Sequence, residues 1–339
     1  MDSLTQIVLG AAVAEAVAGK EIGNKAILWG AVAGTIPDLD VFVGQLFHPI
    51  DAALVHRGLS HSLLFALITG PILGYLFFLM YRKKHPLQMW IWLFFLGIVT
   101  HPMLDMFTNY GTQFLWPFST RITFNTVFVI DPLYTLPFLV CLLVVMFHKR
   151  DNPRRKWWNL GGILWSCGYL LWGVIIKLSV LSDAPSYFKT HDAQPQIKMV
   201  TPMPLTSFYW MVLAEDRSNY YVAYKSIFSS YRPEHTDTIK KSSITLNKIR
   251  WQGHNYSGQL KFISDGNYVI EKTKNGYVFS DLRFGVTSAM TDGKLKKPIM
   301  GFELMQTKNK IDKVNRHRPD ALFDNVNFDR YWSRVLGND

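Results

Sequence analysis

The sequence predicts an α-helical multi-spanning membrane domain followed by a mainly antiparallel β, soluble C-terminal domain of α+β type. Mean hydropathy is +0.07 and 49% of the 339 residues are apolar. That is too apolar for an ordinary soluble chain and too polar for one wholly in lipid, so two unlike parts are being averaged. Long uncharged runs occur up to Val180 and none follows Asp183. Beyond that point apolar and polar residues alternate as in strands. The boundary is placed at residues 1–182 and 183–339.

Leu63 to Tyr81 carries no charge and is long enough, at about 1.5 Å rise per residue, to cross a hydrocarbon core of about 30 Å. Similar runs occupy Met89 to Phe107, Val127 to Phe147 and Leu160 to Val180. Before them, Leu4 to Ala18 and Ala26 to Ile36 are short apolar segments joined by Gly19 to Lys25, a pattern expected of a helical hairpin that does not cross fully. Such a hairpin would hold Pro37-Asp38-Leu39-Asp40 inside the protein and return Asp2 to the same neighbourhood. The Ala-rich start lacks the basic n-region of a cleaved signal peptide, so the N-terminus is expected in the mature protein. Cys141 and Cys167 lie within predicted spans and are expected to be packing residues.

Three short loops are basic: Lys20 to Lys25, Arg82-Lys83-Lys84, and His148 to Lys156. By the positive-inside rule all three face the cytoplasm, and the two helices between the second and third return the chain to the same side. Residues 36–62, 101–131 and everything after Val180 are therefore expected on the extracytoplasmic face. The formal charge of +11 follows topology and anionic lipid surfaces; no nucleic-acid partner is expected.

The outer stretches carry Asp38 and Asp40, then His56-Arg57-Gly58-Leu59-Ser60-His61-Ser62, then His101-Pro102-Met103-Leu104-Asp105. Imidazole and carboxylate together suit zinc, with manganese or iron as alternatives, whereas an all-oxygen set would argue for magnesium or calcium. His101 and Asp105 are four apart and share a helix face. Pro102 predicts a first helical turn, with His101 at an N-terminus that favours anions. Gly58 permits a tight turn, and Ser60 is the expected N-cap of the helix running to Tyr81, with His61 at its start and His56 on the facing loop. Asp38 and Asp40 point the same way if their loop is extended. Taken singly each element has a structural explanation, as turn, cap or helix-surface hydrogen bond. Ionisable groups gathered at membrane depth are costly and usually functional.

Arg57 and Arg121 are candidates for neutralising an anionic substrate or for interfacial anchoring. Asp131, just before Pro132, is either a partner orienting a ligand histidine or a helix-start carboxylate. Gln6 and Asn109 are candidate substrate contacts. His48, His85, His148 and the histidines beyond residue 190 have no partner at metal-like spacing and read as surface residues.

The opening Met1-Asp2-Ser3-Leu4-Thr5-Gln6, Ile36-Pro37-Asp38-Leu39-Asp40, His56 to Ser62 and His101 to Asp105 together resemble the YdjM family of LexA-regulated inner-membrane proteins, described as metal-dependent hydrolases. Order and spacing of the four motifs carry the resemblance over residues 1–150. It implies a bacterial inner-membrane location, a hydrolase label, and Asp38, Asp40, His56, His61, His101 and Asp105 as the matching positions. Many relatives carry His where Gln6 stands, so no ligand role passes to Gln6. The regulatory association does not make the chain a DNA reader, since it contains no such motif.

In the C-terminal part, Phe208 to Ala214, Tyr220 to Phe228 and Ile244 to Trp251 read as strands. Asn267 to Lys272 and Tyr277 to Arg283 flank Asn275-Gly276, a hairpin signal, and Ala321 to Leu336 reads as a closing helix. The domain offers no cluster suited to catalysis and is expected to cap the site, select substrate or bind an envelope partner.

These readings combine into a metal-dependent hydrolase acting on an ester or phosphoester of a membrane lipid or lipid-linked substrate. Asp38 or Asp105 would serve as general base, and Arg57 or Arg121 would stabilise developing charge. The alternatives are an ion transporter using the same His and Asp residues as a relay, and a non-enzymatic envelope binding protein with a structural metal.

Overall fold

The computed structural model describes residues 1–188, 194–229, 236–291, 297–317 and 326–338. They fall into two compact units. One comprises Met1–Val43, Val55–Ile175 and Pro204–Thr206, the other Gly44–Leu54, Ile176–Met203 and Ser207–Asp339.

The first unit is helical. α1 (Ser3–Ile22) and α2 (Asn24–Thr35) are joined by Gly23 alone, at φ +59°. The first helix therefore runs further than the predicted Ala18. Asp2 caps α1 by accepting from the Thr5 amide. The two helices cross where Gly10 faces Gly34 and Gly30. A Cβ on Gly10 would lie 2.4 Å from the Gly30 carbonyl oxygen, so only glycine permits this approach, as in small-residue helix contacts within membranes. A 3-10 turn (Pro37–Leu39) and α3 (Asp40–Gly44) follow, bent by 43° from α2.

α5 (Leu63–Met80) and α6 (Leu87–Asp105) form the next hairpin, and α7 (Pro132–Phe147) and α8 (Pro153–Asp183) the last long elements. Among the described residues three helices, α5, α6 and α8 with its continuing turn to Phe188, are long and apolar enough to cross a membrane. The bent pair Asn24–Thr35 and Pro37–Gly44 makes a fourth if taken as one span. α5 exposes Leu67, Ile68, Ile72 and Leu76, an apolar surface that water would not favour.

The expected span from Val127 begins five residues later. Asp131 accepts hydrogen bonds from the Leu133 and Tyr134 amides with Pro132 in the first turn, so residues 127–131 stay irregular and α7 is a shorter apolar helix of 16 residues. Of the two readings of Asp131, the helix-start one holds. It also accepts from the Tyr169 hydroxyl, and burial pushes its carboxyl above the usual range.

The second unit holds two four-stranded antiparallel meanders rather than one sheet. β1 (Gln196–Pro202), β2 (Tyr209–Glu215), β3 (Asn219–Ser226) and β4 (Thr236–Lys240) form the first. β5 (Tyr268–Thr273), β6 (Gly276–Val286), β7 (Pro298–Thr307) and β8 (Lys310–His317) form the second. One face of the first sheet (Trp210, Val212, Ala223) packs on Val180, Ala184 and Phe188 at the end of α8. Its other face joins Leu282, Val286 and α10 (Phe328–Val335) through Tyr331. Residues 321–325 of the expected closing helix lie outside the described residues.

Ile244 to Trp251 is not a strand. Leu246 and Ile249 are buried together from a 3-10 turn (Leu246–Lys248), and Trp251 keeps a single parallel bridge to Ile311. Ile244 and Leu246, and then Ile249 and Trp251, are each two apart, which imitates alternation in a short window. The same core, made of Phe279, Phe302, Leu304, Ile311 and α9 (Ser257–Ile263), also takes in Ile50 from α4 (Pro49–Val55).

Candidate metal centre

The α5–α6 hairpin presents the start of one helix beside the end of the other, and the predicted residues gather at that end. Asp38 lies in the 3-10 turn after α2, Asp40 opens α3, and His56 directly follows α4. His61 ends a 3-10 turn (Leu59–His61), while His101 and Asp105 occupy the last turn of α6.

Several local expectations are corrected. His101 is at the C-terminal end of a helix, because Pro102 is accommodated inside α6 rather than starting it; a helix C-terminus favours a cation, not an anion. The N-cap of α5 is Ser62, which accepts from the Phe65 amide, and Ser60 instead donates to Asp40. The left-handed residue of the turn is Arg57 at φ +67°, while Gly58 has φ −91°. A non-glycine residue there costs about 1 kcal/mol or more and persists where its surroundings hold it. The Arg57 amide donates to Asp40 and its carbonyl accepts from the Gln113 amide. Asp38 and Asp40 stand on helical turns, not an extended loop, and approach opposite nitrogens of the His61 ring.

Buried atoms meet in the centre. His61 Nε2 is 3.3 Å from Asp38 Oδ1 and 3.6 Å from Asp105 Oδ2; His101 Nε2 is 3.4 Å and 3.7 Å from the same two oxygens. An ion with N and O ligands at about 2.1 Å spaces neighbouring ligand atoms roughly 3.0 to 3.4 Å apart, so this ring of contacts needs little contraction to hold one. His61 Nε2, His101 Nε2 and Asp105 Oδ2 are buried without a hydrogen-bond partner. Each such atom costs about 1–3 kcal/mol if left unmatched, and three converging on one point fit a shared cation. His61, His101 and Asp105 form one candidate ligand group, and Asp38, His56 and His61 another that shares His61.

Hydrogen bonds at the back of each ring fix which nitrogen faces the centre. His101 Nδ1 lies 2.6 Å from the Gly34 carbonyl, which can only accept, so Nε2 presents its lone pair. His56 Nδ1 is 2.8 Å from Asp40 Oδ1, leaving Nε2 on the open side. Asp40 thus sits behind two imidazoles, touching His56 and His61 on their Nδ1 atoms, and belongs to neither ligand group. This is the carboxylate–histidine arrangement that orients metal ligands. Asp40→Asn is expected to weaken zinc binding about 10- to 100-fold without abolishing it, read by competition with a chromophoric chelator.

Burial draws the His61 imidazole toward its neutral form, but the Asp38 and Asp40 carboxylates beside its two nitrogens outweigh this and hold its pKa above the ordinary value. A metal and a proton therefore compete for this ring. Apparent affinity is expected to fall as pH drops from about 8 to 5, read by competition titrations across that range.

Arg57 is buried, with Nε 3.4 Å from Asp105 Oδ2, Nη1 donating to Thr108 and the guanidinium over the Tyr110 ring. Arg121 is half-buried near Gly111 on the short Thr112–Ile122 bridge. Gln6 Nε2 donates to Asp105 Oδ1 at 3.0 Å and to the His101 carbonyl at 3.3 Å, and the Met1 amine pairs with the same carboxyl oxygen. Gln6 therefore braces Asp105. The Gly34 carbonyl and Ser60 hydroxyl were not legible as parts of the site, since neither group is distinctive in sequence. His48 is not a bare surface residue: its ring stacks on Tyr256 at 4.3 Å.

Comparison with known proteins gives a family match over the helical part of the chain. A family model described as YdjM inner membrane protein matches residues 1–180, the stretch holding every residue of the centre. A Bacillus subtilis (strain 168) protein described as "Uncharacterized protein YfhP" is 26% identical over 231 residues, covering 66% of this chain and 67% of its own. No solved structure matches. With more than half its length matched, the chain belongs to the YdjM inner membrane protein family.

Proposed function

We propose that the chain is a membrane-bound, metal-dependent hydrolase that cleaves an ester or phosphoester of an amphiphilic, lipid-like substrate on the extracytoplasmic side of the inner membrane. The observation that carries this reading is the convergence of His61 Nε2, His101 Nε2 and Asp105 Oδ2, buried and unmatched, beside Asp38. Asp38, His61, His101 and Asp105 would hold the ion, with His56 at the rim; zinc suits this donor set best. Bound there, the ion would act as a Lewis acid and bring a water toward ionisation near neutral pH.

The chain's own groups have separable tasks. Asp38, part-exposed where His61, His101 and Asp105 are buried, would accept a proton at its outer oxygen. Arg57 sets a fixed positive charge beside Asp105, suited to an anionic ester. Arg121 remains a second candidate for that task. Val41, Phe42 and Val43 of α3 are exposed directly after Asp40, an apolar approach that favours an acyl or prenyl chain.

A relay across the membrane is less well supported. The ionisable groups gather at one end of α5–α6, and the Glu15–Arg155 pair elsewhere in the unit is closed by hydrogen bonds.

Purified chain loaded with zinc and assayed on a panel of lipid esters and phosphoesters is expected to turn over at least one of them, with loss of activity in His101→Ala. Turnover that survives chelation and that substitution would reject the metal-dependent site, and no turnover of any substrate would reject the hydrolase. Reporter fusions at Lys84 and Gly253 are expected to read cytoplasmic and extracytoplasmic respectively; a cytoplasmic signal at Gly253 would reverse the orientation.

A further inference from the structure

Met106 to Ile130 join α6 to α7, and Arg121 is the only charged residue among them. About a quarter of the residues in an ordinary soluble chain are charged, so this connection is composed for surroundings other than water. Its middle is a narrow hairpin. The Thr112 and Ile122 amides each donate to the other's carbonyl, at 3.0 and 2.9 Å. The tip between them is turned by bonds from the Trp116 amide to the Gln113 carbonyl and from the Phe118 amide to the Leu115 carbonyl. There Leu115 is 47% exposed and Phe118 70%, with Pro117 also exposed and Trp116 half-buried.

The hairpin is rooted in two places within the helical unit. The Phe114 carbonyl accepts at 2.9 Å from the amide of Leu63, the first residue of α5, so the tip springs from the level at which α5 begins its uncharged run. α5 exposes Leu67, Ile68 and Ile72 along that run. On the other side the Gln113 amide donates to the Arg57 carbonyl, and the Thr123 hydroxyl to the carbonyl of Thr108, whose own hydroxyl holds Arg57 Nη1.

We propose that this tip is a wedge seated in lipid: Leu115, Pro117 and Phe118 enter the acyl layer of the leaflet on the side of the His and Asp cluster. Exposed apolar side chains held out on a braced hairpin gain by leaving water for hydrocarbon, and aromatic rings suit the boundary between the two. The occupant is the bilayer because the tip starts from the first residue of a helix whose exposed face is itself apolar throughout. Since the same hairpin is bonded to the turn that carries Arg57, which lies beside Asp105, seating the tip fixes the depth at which those two residues stand.

The test uses the full chain, with Cys141 and Cys167 replaced by alanine, in vesicles of phosphatidylethanolamine and phosphatidylglycerol. A nitroxide is attached at Phe118→Cys and, in a second variant, at Leu115→Cys. Power saturation compares collisions with oxygen, which concentrates in lipid, and with a nickel chelate, which stays in water; labels at Ile72→Cys and Lys84→Cys serve as the lipid and water references. Both tip labels are expected to resemble Ile72→Cys, with a ratio of oxygen to nickel access several times that at Lys84→Cys. Adding Phe118→Asp is expected to raise nickel access at the Leu115→Cys label several-fold. Tip labels as wet as Lys84→Cys would overturn the proposal. So would labels shielded from both reagents, which would put protein rather than lipid against the tip, or nickel access indifferent to Phe118→Asp. An Ile72→Cys label as wet as Lys84→Cys would remove the lipid surface that the wedge continues, and the proposal with it. None of these readings involves zinc or turnover, so they decide the wedge separately from the hydrolase.

Discussion

Replacing His61 or His101 by alanine is expected to reduce zinc affinity by at least about a hundredfold, more than the orienting residue Asp40 can command. Both rings are buried, and both turn Nε2 toward the Asp38 and Asp105 oxygens at 3.3–3.7 Å. Removing either takes away a donor that no neighbour can replace. Asp105→Asn should behave similarly, since Arg57 Nε lies 3.4 Å from Oδ2 and the amide would remove the charge both the ion and the guanidinium face. Equilibrium dialysis with metal analysis on each variant decides the matter. Full zinc content in all three would remove these residues as ligands.

The largest stability loss is expected away from the centre. Arg155 is buried and donates through Nε and Nη2 to the two oxygens of Glu15, each at 2.6 Å. Its Nη1 serves Asn24 and the Val145 and His148 carbonyls. One side chain thus ties α1, the start of α2 and the end of α7 to the start of α8. Arg155→Leu would leave the Glu15 carboxylate buried and unpaired, at a cost of about 3–5 kcal/mol. Glu15→Leu combined with Arg155→Leu should recover much of that, because no charge is then stranded. Denaturant unfolding in mixed micelles compares the two; a double variant as unstable as the single would show that the carbonyl contacts, not the charge, dominate.

The His and Asp cluster was legible because its residues are conspicuous by place: they stand at the ends of apolar runs, where lipid makes ionisable groups costly. Which member does what was not legible. Whether Asp40 faces the centre or stands behind His56 depends on a bend after Thr35, and a proline in His101-Pro102 reads equally as a helix start or a tolerated interior residue. Arg155 sits in a basic stretch whose composition suggests only a cytoplasmic loop, yet it is enclosed.

In the C-terminal part, the Asn275-Gly276 hairpin was found because its glycine must sit at φ +141° under the Leu304 carbonyl. The β7–β8 turn was missed. It uses Lys308 and Asn309, both at positive φ, without the glycine that marks such turns. β1 escaped because a register shift between Ile197 and Met199 breaks the alternation that identifies a strand. The departure of Gly44–Leu54 into the other unit leaves no mark in sequence, since α4 is too short for periodicity to register.

The most direct measurement of the central claim is X-ray absorption at the zinc edge on the loaded, purified chain. One zinc per chain is expected, with a shell of nitrogen and oxygen at about 2.0–2.2 Å and the outer-shell scattering of two or three imidazoles, lost in part in His101→Ala. A shell of water oxygens without imidazole scattering, or a spectrum indifferent to that substitution, would contradict the account.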